Sequence, residues 1–123
     1  MNLRKRIHFL TLVAFSILYL LYSQYSFAET TREFTVVNIE TSQGVKIWES
    51  PSLTVQKGDK VKIKLINKLD QEHGYRITEF KVEKVVPGGQ SETVEFTVDK
   101  AGIFLIDCQL HPAHVQGQLV VLP

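Results

Sequence analysis

Several residue types are scarce in this chain of 123 residues, and each scarcity excludes a class of protein. There is one cysteine, Cys108, so the internal disulfide framework that holds many small secreted scaffolds together is impossible. The only methionine is Met1, so there is no methionine-rich metal-carrying tract. The chain also has no glycine-rich phosphate loop and no long run of like charges, which argues against nucleotide and nucleic-acid binding.

The composition that remains is that of an ordinary globular protein. Hydrophobic residues make up 44% of the chain and charged residues 22%, with 14 Lys and Arg against 13 Asp and Glu. These values are typical of a folded domain and not of a disordered or fibrous chain. We therefore expect one globular domain with no nucleic-acid partner.

The first 28 residues have the features of a secretory signal peptide. A basic segment comes first: Arg4, Lys5 and Arg6. An apolar stretch, residues 7–22, follows, and small residues precede a cleavage site after Ala28. An uncleaved membrane anchor is the alternative, because a helix of ~17 residues can already span a bilayer. In either case we expect the domain, residues 29–123, to be periplasmic or otherwise exported, and free of the membrane once the signal peptide is cleaved.

Strand patterns recur along the exported part of the chain. Apolar Val61, Ile63 and Leu65 alternate with lysines, the period of two that a strand with one solvated face shows. The predicted strands are residues 34–39, 45–49, 53–55, 60–65, 75–80, 93–98, 103–107 and 118–122. Seven or eight short strands in fewer than 100 residues predict an all-β fold, either an antiparallel sandwich or a small barrel.

Side chains with soft metal-ligand chemistry are confined to two predicted loops of this domain. They are His73, Cys108, His111 and His114. Each residue taken alone would more often be an ordinary surface or core residue, since a metal site is inferred from a cluster. The spacing Cys108-x-x-His111-x-x-His114, however, lets a thiolate and two imidazoles of a turning loop face one point. Such donors suit copper and zinc.

The segment from Asp99 to Val121 resembles the cupredoxins, a family of small copper-binding β-sandwiches whose last ligand loop contains cysteine, histidine and methionine before a glycine and a closing strand. The resemblance extends over most of residues 29–123. It implies a single Greek-key sandwich of seven to eight strands that holds one copper ion per chain. It also implies that His73 is the early histidine ligand and that Cys108 and His111 belong to the last ligand loop.

The predicted site departs from the family pattern at one ligand. No methionine follows Met1, and His114 stands where the weak thioether ligand is expected. Within the family the likeness is greatest to nitrosocyanin, the red copper protein, which uses an early glutamate ligand. Glu72 is therefore the reserve candidate, although Glu72 and His73 should not both reach the metal if their segment is extended.

Copper is the expected metal. One cysteine and three histidines would also make a closed tetrahedral zinc site. Copper nevertheless binds nitrogen and sulfur donors more tightly in the divalent series, and the resemblance favours it too. A binuclear copper centre that needs two cysteines is excluded by the single Cys108.

The expected function is one-electron transfer to an unidentified redox partner protein, with no enzymatic activity required. Two alternatives stay open. The first is periplasmic copper carriage or storage, and the second is binding or conversion of a small ligand such as nitric oxide at a nitrosocyanin-like site. The resemblance to nitrosocyanin also implies a possible homotrimer.

Overall fold

The computed structural model describes residues 2–5, 8, 10, 11, 16 and 30–123. Most of the predicted signal peptide, including its cleavage site, lies outside the described residues, so the boundary after Ala28 stays a prediction. No helix within the described part of the chain is long and apolar enough to cross a membrane.

Residues 30–123 form nine β-strands and one short 3-10 helix. The strands are β1 (Thr31–Glu40), β2 (Lys46–Glu49), β3 (Ser52–Gln56), β4 (Lys60–Asn67), β5 (His73–Ile77), β6 (Val82–Val86), β7 (Ser91–Thr97), β8 (Gly102–Ile106) and β9 (Gly117–Leu122), and the helix is Thr78–Phe80. This confirms the predicted all-β sandwich, with one strand more than the expected seven to eight.

The strands form two main sheets and a hairpin. The first sheet has the order β2-β1-β4-β7, the second has the order β3-β9-β8, and β5 pairs with β6. A bridge between Arg76 and Asp107 joins the hairpin to the chain just after β8. Most strand pairs are antiparallel, as expected, but β1 runs parallel to β4 and β3 runs parallel to β9. Between β1 and β4 the chain passes through β3 of the second sheet. Between β3 and β9 it passes through β4 and β7 of the first sheet.

The core lies between these layers, as the alternation in β4 predicts. Val61, Ile63 and Leu65 are fully buried, whereas the lysines between them reach solvent. Burial of each such aliphatic side chain contributes about 1.5–3 kcal/mol. The apolar face of β4 is therefore a main source of the stability that holds the ligand-bearing loops in place.

One predicted strand ends earlier than expected. The segment 75–80 was predicted to be extended, but β5 stops at Ile77 and residues Thr78–Phe80 form the 3-10 helix. Lys81 then adopts a left-handed conformation with φ of 55°, and β6 turns back along β5. The turn contains neither glycine nor proline, which is why sequence patterns did not separate the two strands. The same hairpin includes His73 and Gly74, which were expected in the preceding loop.

Candidate metal centre

Three of the four predicted ligands converge at one end of the sandwich. His73 is the first residue of β5, while Cys108 and His111 lie in the loop that follows β8. One ligand atom from each of the three lies within 4.8 Å of the other two. The Cys108 Sγ is 3.5 Å from the His111 Nδ1, and the rings of His73 and His111 have centroids 4.4 Å apart. Two ligands that are each ~2.0–2.3 Å from one ion lie at most ~4.6 Å apart. The 3.5 Å between Sγ and Nδ1 is within this limit, and the 4.8 Å that bounds the three atoms is close to it, so a small adjustment would let all three bind one metal ion.

His73 supplies the clearest sign that a metal belongs here. The side chain is fully buried, and neither ring nitrogen has a hydrogen-bond partner among the residues that the structure describes. Burying an unsatisfied polar group costs about 1–3 kcal/mol, a cost that a coordinated metal ion would offset. Burial, followed by the charges of His111, His114 and Lys46, lowers the pKa of His73 to about 4. The ring is therefore neutral at neutral pH, the form that binds metals.

The sulfur of Cys108 is buried and held by β5. The backbone N–H of Gly74 donates a hydrogen bond to Sγ over 3.1 Å. The side-chain amide of Gln109 lies against the Cα of Gly74, in the space that a Cβ at this position would occupy. The sulfur is thereby held beside the first residues of β5, facing His73 and His111.

A double bridge fixes the backbone immediately before Cys108. Arg76 and Asp107 exchange backbone hydrogen bonds of 2.9 and 3.1 Å, and the Arg76 guanidinium contacts both carboxylate oxygens of Asp107 at 2.9 and 2.6 Å. This bidentate pair raises the pKa of Arg76, chiefly through the side-chain hydrogen bond to Asp107. Because Arg76 lies on the same strand as His73, the pair sets the distance between the two ligand-bearing segments.

Two consecutive turns explain the three-residue ligand spacing. The N–H of His111 donates to the carbonyl of Cys108 at 3.4 Å, and the N–H of His114 donates to that of His111 at 3.0 Å. Each turn returns the chain to the same side after three residues. The N–H of Val115 then donates to the carbonyl of Lys46 at 2.9 Å, which anchors the end of the loop to β2.

His114 lies beside this cluster but is not one of its three members. Its ring centroid is 5.3 Å from that of His73, and the side chain is buried. The Nε2 atom lies 2.8 Å from Asn38 Oδ1, and Nδ1 lies 3.1 Å from the carbonyl oxygen of Val115. Burial is the main cause that lowers the pKa of His114. Its role as a fourth ligand stays a prediction.

The reserve candidate Glu72 does not join the cluster. Glu72 precedes β5 and is exposed, whereas His73 is fully buried. The sequence patterns did not identify two further residues of the site, Asn38 and Asn67. Both are buried polar residues; Asn38 contacts His114, and Asn67 contacts Asn38. An asparagine within an otherwise β-branched predicted strand was the available signal for Asn38.

Comparisons with known proteins agree with this fold. A family model described as Cupredoxin-like domain matches residues 12–121. Similar solved structures are a copper nitrite reductase from Nitrosomonas europaea (21% identity, TM-score 0.67), a multicopper oxidase designated mgLAC (20%, 0.60) and a blue copper oxidase from Nitrosomonas europaea (17%, 0.61). Each alignment covers 76% of this chain but only 42%, 39% and 39% of those chains, respectively. No curated protein sequence matches the chain.

At these identities the solved structures establish the fold alone. The family match covers most of the chain, and the sandwich carries a cysteine between two histidines at one end. Cupredoxin architecture and this donor set together indicate copper binding. The chain belongs to the family of cupredoxin-like domains.

Proposed function

We propose that this protein is an exported electron carrier that holds one copper ion per chain. The observation that carries the proposal is the convergence of the Cys108 sulfur with the unsatisfied nitrogens of His73 and with His111. When bound there, copper would supply one-electron chemistry by alternating between Cu(I) and Cu(II). A thiolate with two imidazoles is the donor set of blue-copper electron-transfer sites.

The surrounding residues support a carrier because they hold the ligands in a fixed geometry. His73 is part of the β5–β6 hairpin, and Cys108 follows the Arg76–Asp107 bridge. Ligands held by strands and by a bidentate ion pair move little when the charge of the bound ion changes. A small rearrangement favours rapid electron transfer in both directions.

The exposure of the ligands indicates where a partner would approach. His73 and Cys108 are buried, whereas His111 is partly exposed between Leu110 and Pro112, which both reach solvent. His111 is therefore the most exposed of the three ligands of the cluster. We propose that the redox partner protein docks over this residue.

A second candidate function is the binding of a small ligand such as nitric oxide. A cavity of about 220 Å³ adjoins the cluster and is lined in part by Cys108, His111 and His114. This volume accommodates a diatomic molecule beside the ligands. Copper carriage, by contrast, requires the ion to leave, and burial of His73 and Cys108 opposes rapid release.

Electrochemistry on the copper-loaded, exported protein distinguishes these functions. Electron transfer predicts a reversible one-electron couple with the copper content unchanged after repeated cycles, and no such couple in a Cys108→Ser control. Release of copper to a Cu(I) chelator at each reduction would support carriage instead. A change in the optical spectrum under nitric oxide, without a reversible couple, would support small-ligand binding.

A further inference from the structure

Two buried asparagines connect the loops that carry the ligands. Asn67 ends β4 and Asn38 lies near the end of β1, and both are at most 1% exposed. The Asn38 Nδ2 donates to the Asn67 Oδ1 over 3.1 Å. Asn67 also organises the loop that leads to His73, while Asn38 reaches His114 across the site. The pair thus links segments that are far apart in the sequence.

The hydrogen bonds of Asn67 determine which way its amide faces. Its Nδ2 lies 2.7 Å from the Gln71 carbonyl oxygen, 3.0 Å from that of Val86 and 3.3 Å from that of Pro87. Its Oδ1 accepts from the backbone N–H of Leu69 at 3.1 Å. The reversed amide would place an oxygen against three carbonyl oxygens and leave that N–H facing a nitrogen. Only the observed orientation satisfies these groups.

The orientation of Asn67 in turn determines that of Asn38. Because Asn67 presents an oxygen, Asn38 must present its NH₂ group to it, and the Asn38 Oδ1 then faces the other way. That oxygen lies 2.8 Å from the His114 Nε2. An amide oxygen can only accept a hydrogen bond, so Nε2 must carry a proton.

We propose that Asn38 is a positioning residue that keeps the proton of His114 on Nε2 and leaves Nδ1 as the ring nitrogen available to a metal ion. This rests on the proposed function, in which His114 serves as the fourth ligand. A metal-binding histidine commonly donates its other ring N–H to a neighbouring acceptor, which fixes the tautomer. Here Asn38 is that acceptor, and Asn67 fixes its orientation.

The other ring nitrogen of His114 has a competing neighbour. This atom lies 3.1 Å from the Val115 carbonyl oxygen. This contact is a hydrogen bond only when Nδ1 carries a proton, so the Val115 carbonyl favours the opposite tautomer to the one that Asn38 favours. Without Asn38, the favoured neutral form would instead place the proton on Nδ1, where it could bond to Val115.

Nitrogen-15 NMR of the histidine rings tests the tautomer in metal-free protein, at about pH 8, well above the reference histidine pKa of ~6.5. We expect His114 to be protonated on Nε2 in the wild type and on Nδ1 in Asn38→Leu. If Asn38→Leu does not fold, Asn38→Ala removes the amide without adding bulk. A wild-type ring protonated on Nδ1, or a tautomer unchanged in the variants that lack the amide, would overturn the proposal.

Binding of Cu(I), which is diamagnetic, tests the ligand atom. The His114 Nδ1 signal should shift on addition of Cu(I) while Nε2 keeps its proton, and Asn38→Leu should bind Cu(I) about 10- to 100-fold more weakly. A metal shift at Nε2, or no shift at His114, would contradict the proposal. Failure of the proposed function would be a different result, namely a wild-type protein with the expected tautomer but no reversible copper couple.

Discussion

Acidification of the metal-free protein should destabilise it through His73. The ring has no hydrogen-bond partner in the described part of the chain and is buried, and burial, with the charges of His111, His114 and Lys46, lowers its pKa to about 4. In the unfolded chain the pKa returns to ~6.5. Between these two values the unfolded state binds a proton that the folded state does not, so stability falls as the pH falls.

The size of this effect follows from the two pKa values. A decrease from 6.5 to about 4 corresponds to roughly 3 kcal/mol, because each pH unit is worth ~1.36 kcal/mol. The contribution is complete above pH 6.5 and is lost by about pH 4. Domains are stable by only about 5–15 kcal/mol, so the loss should be easily measured.

Urea unfolding of metal-free protein at a series of pH values measures this dependence. His73→Leu is the control, since leucine does not titrate and leaves no unsatisfied nitrogen. We expect the variant to lose most of the dependence and to keep a smaller part that belongs to His114, whose pKa is also lowered. Equal slopes for the wild type and His73→Leu would refute the reasoning.

Three substitutions test other parts of the site. Cys108→Ser should remove the thiolate-to-copper absorption while circular dichroism shows an intact sandwich; retained colour would exclude Cys108 as a ligand. Gly117→Ala, at the end of the ligand loop, should cost about 1–3 kcal/mol in urea unfolding, because the added methyl group would overlap the backbone carbonyl of Pro51, which the N–H of Gln118 holds in place, and an unchanged midpoint would contradict this contact. His114→Met should raise the reduction potential by tens of millivolts, where ~59 mV is a tenfold change, because a thioether favours Cu(II) less than an imidazole does; an unchanged potential would mean that His114 does not bind copper.

Much of the site could be predicted because its signals are local. Cys108 and His111 are three residues apart, and a single turn brings both to the same side of the loop. The alternation of β4 likewise predicted its buried face, since the period of a strand depends only on neighbouring residues. His73 was found because few other residues of the domain have soft-ligand chemistry.

The rest depends on contacts that no local pattern contains. Asn38 bonds to Asn67 over 29 residues and to His114 over 76, so their roles emerge only once the sandwich is assembled. The parallel pairing of β1 with β4 arises in the same way from the order of the strands. β6 was missed because Lys81 takes the left-handed conformation that a glycine would have signalled.

Titration of the metal-free protein with Cu(II), followed by absorption and metal analysis, tests the central claim most directly. The account predicts that one equivalent of copper binds with an intense thiolate-to-copper band, and that zinc does not displace it. Binding without this band, or preferential retention of zinc, would contradict a copper site at His73, Cys108 and His111.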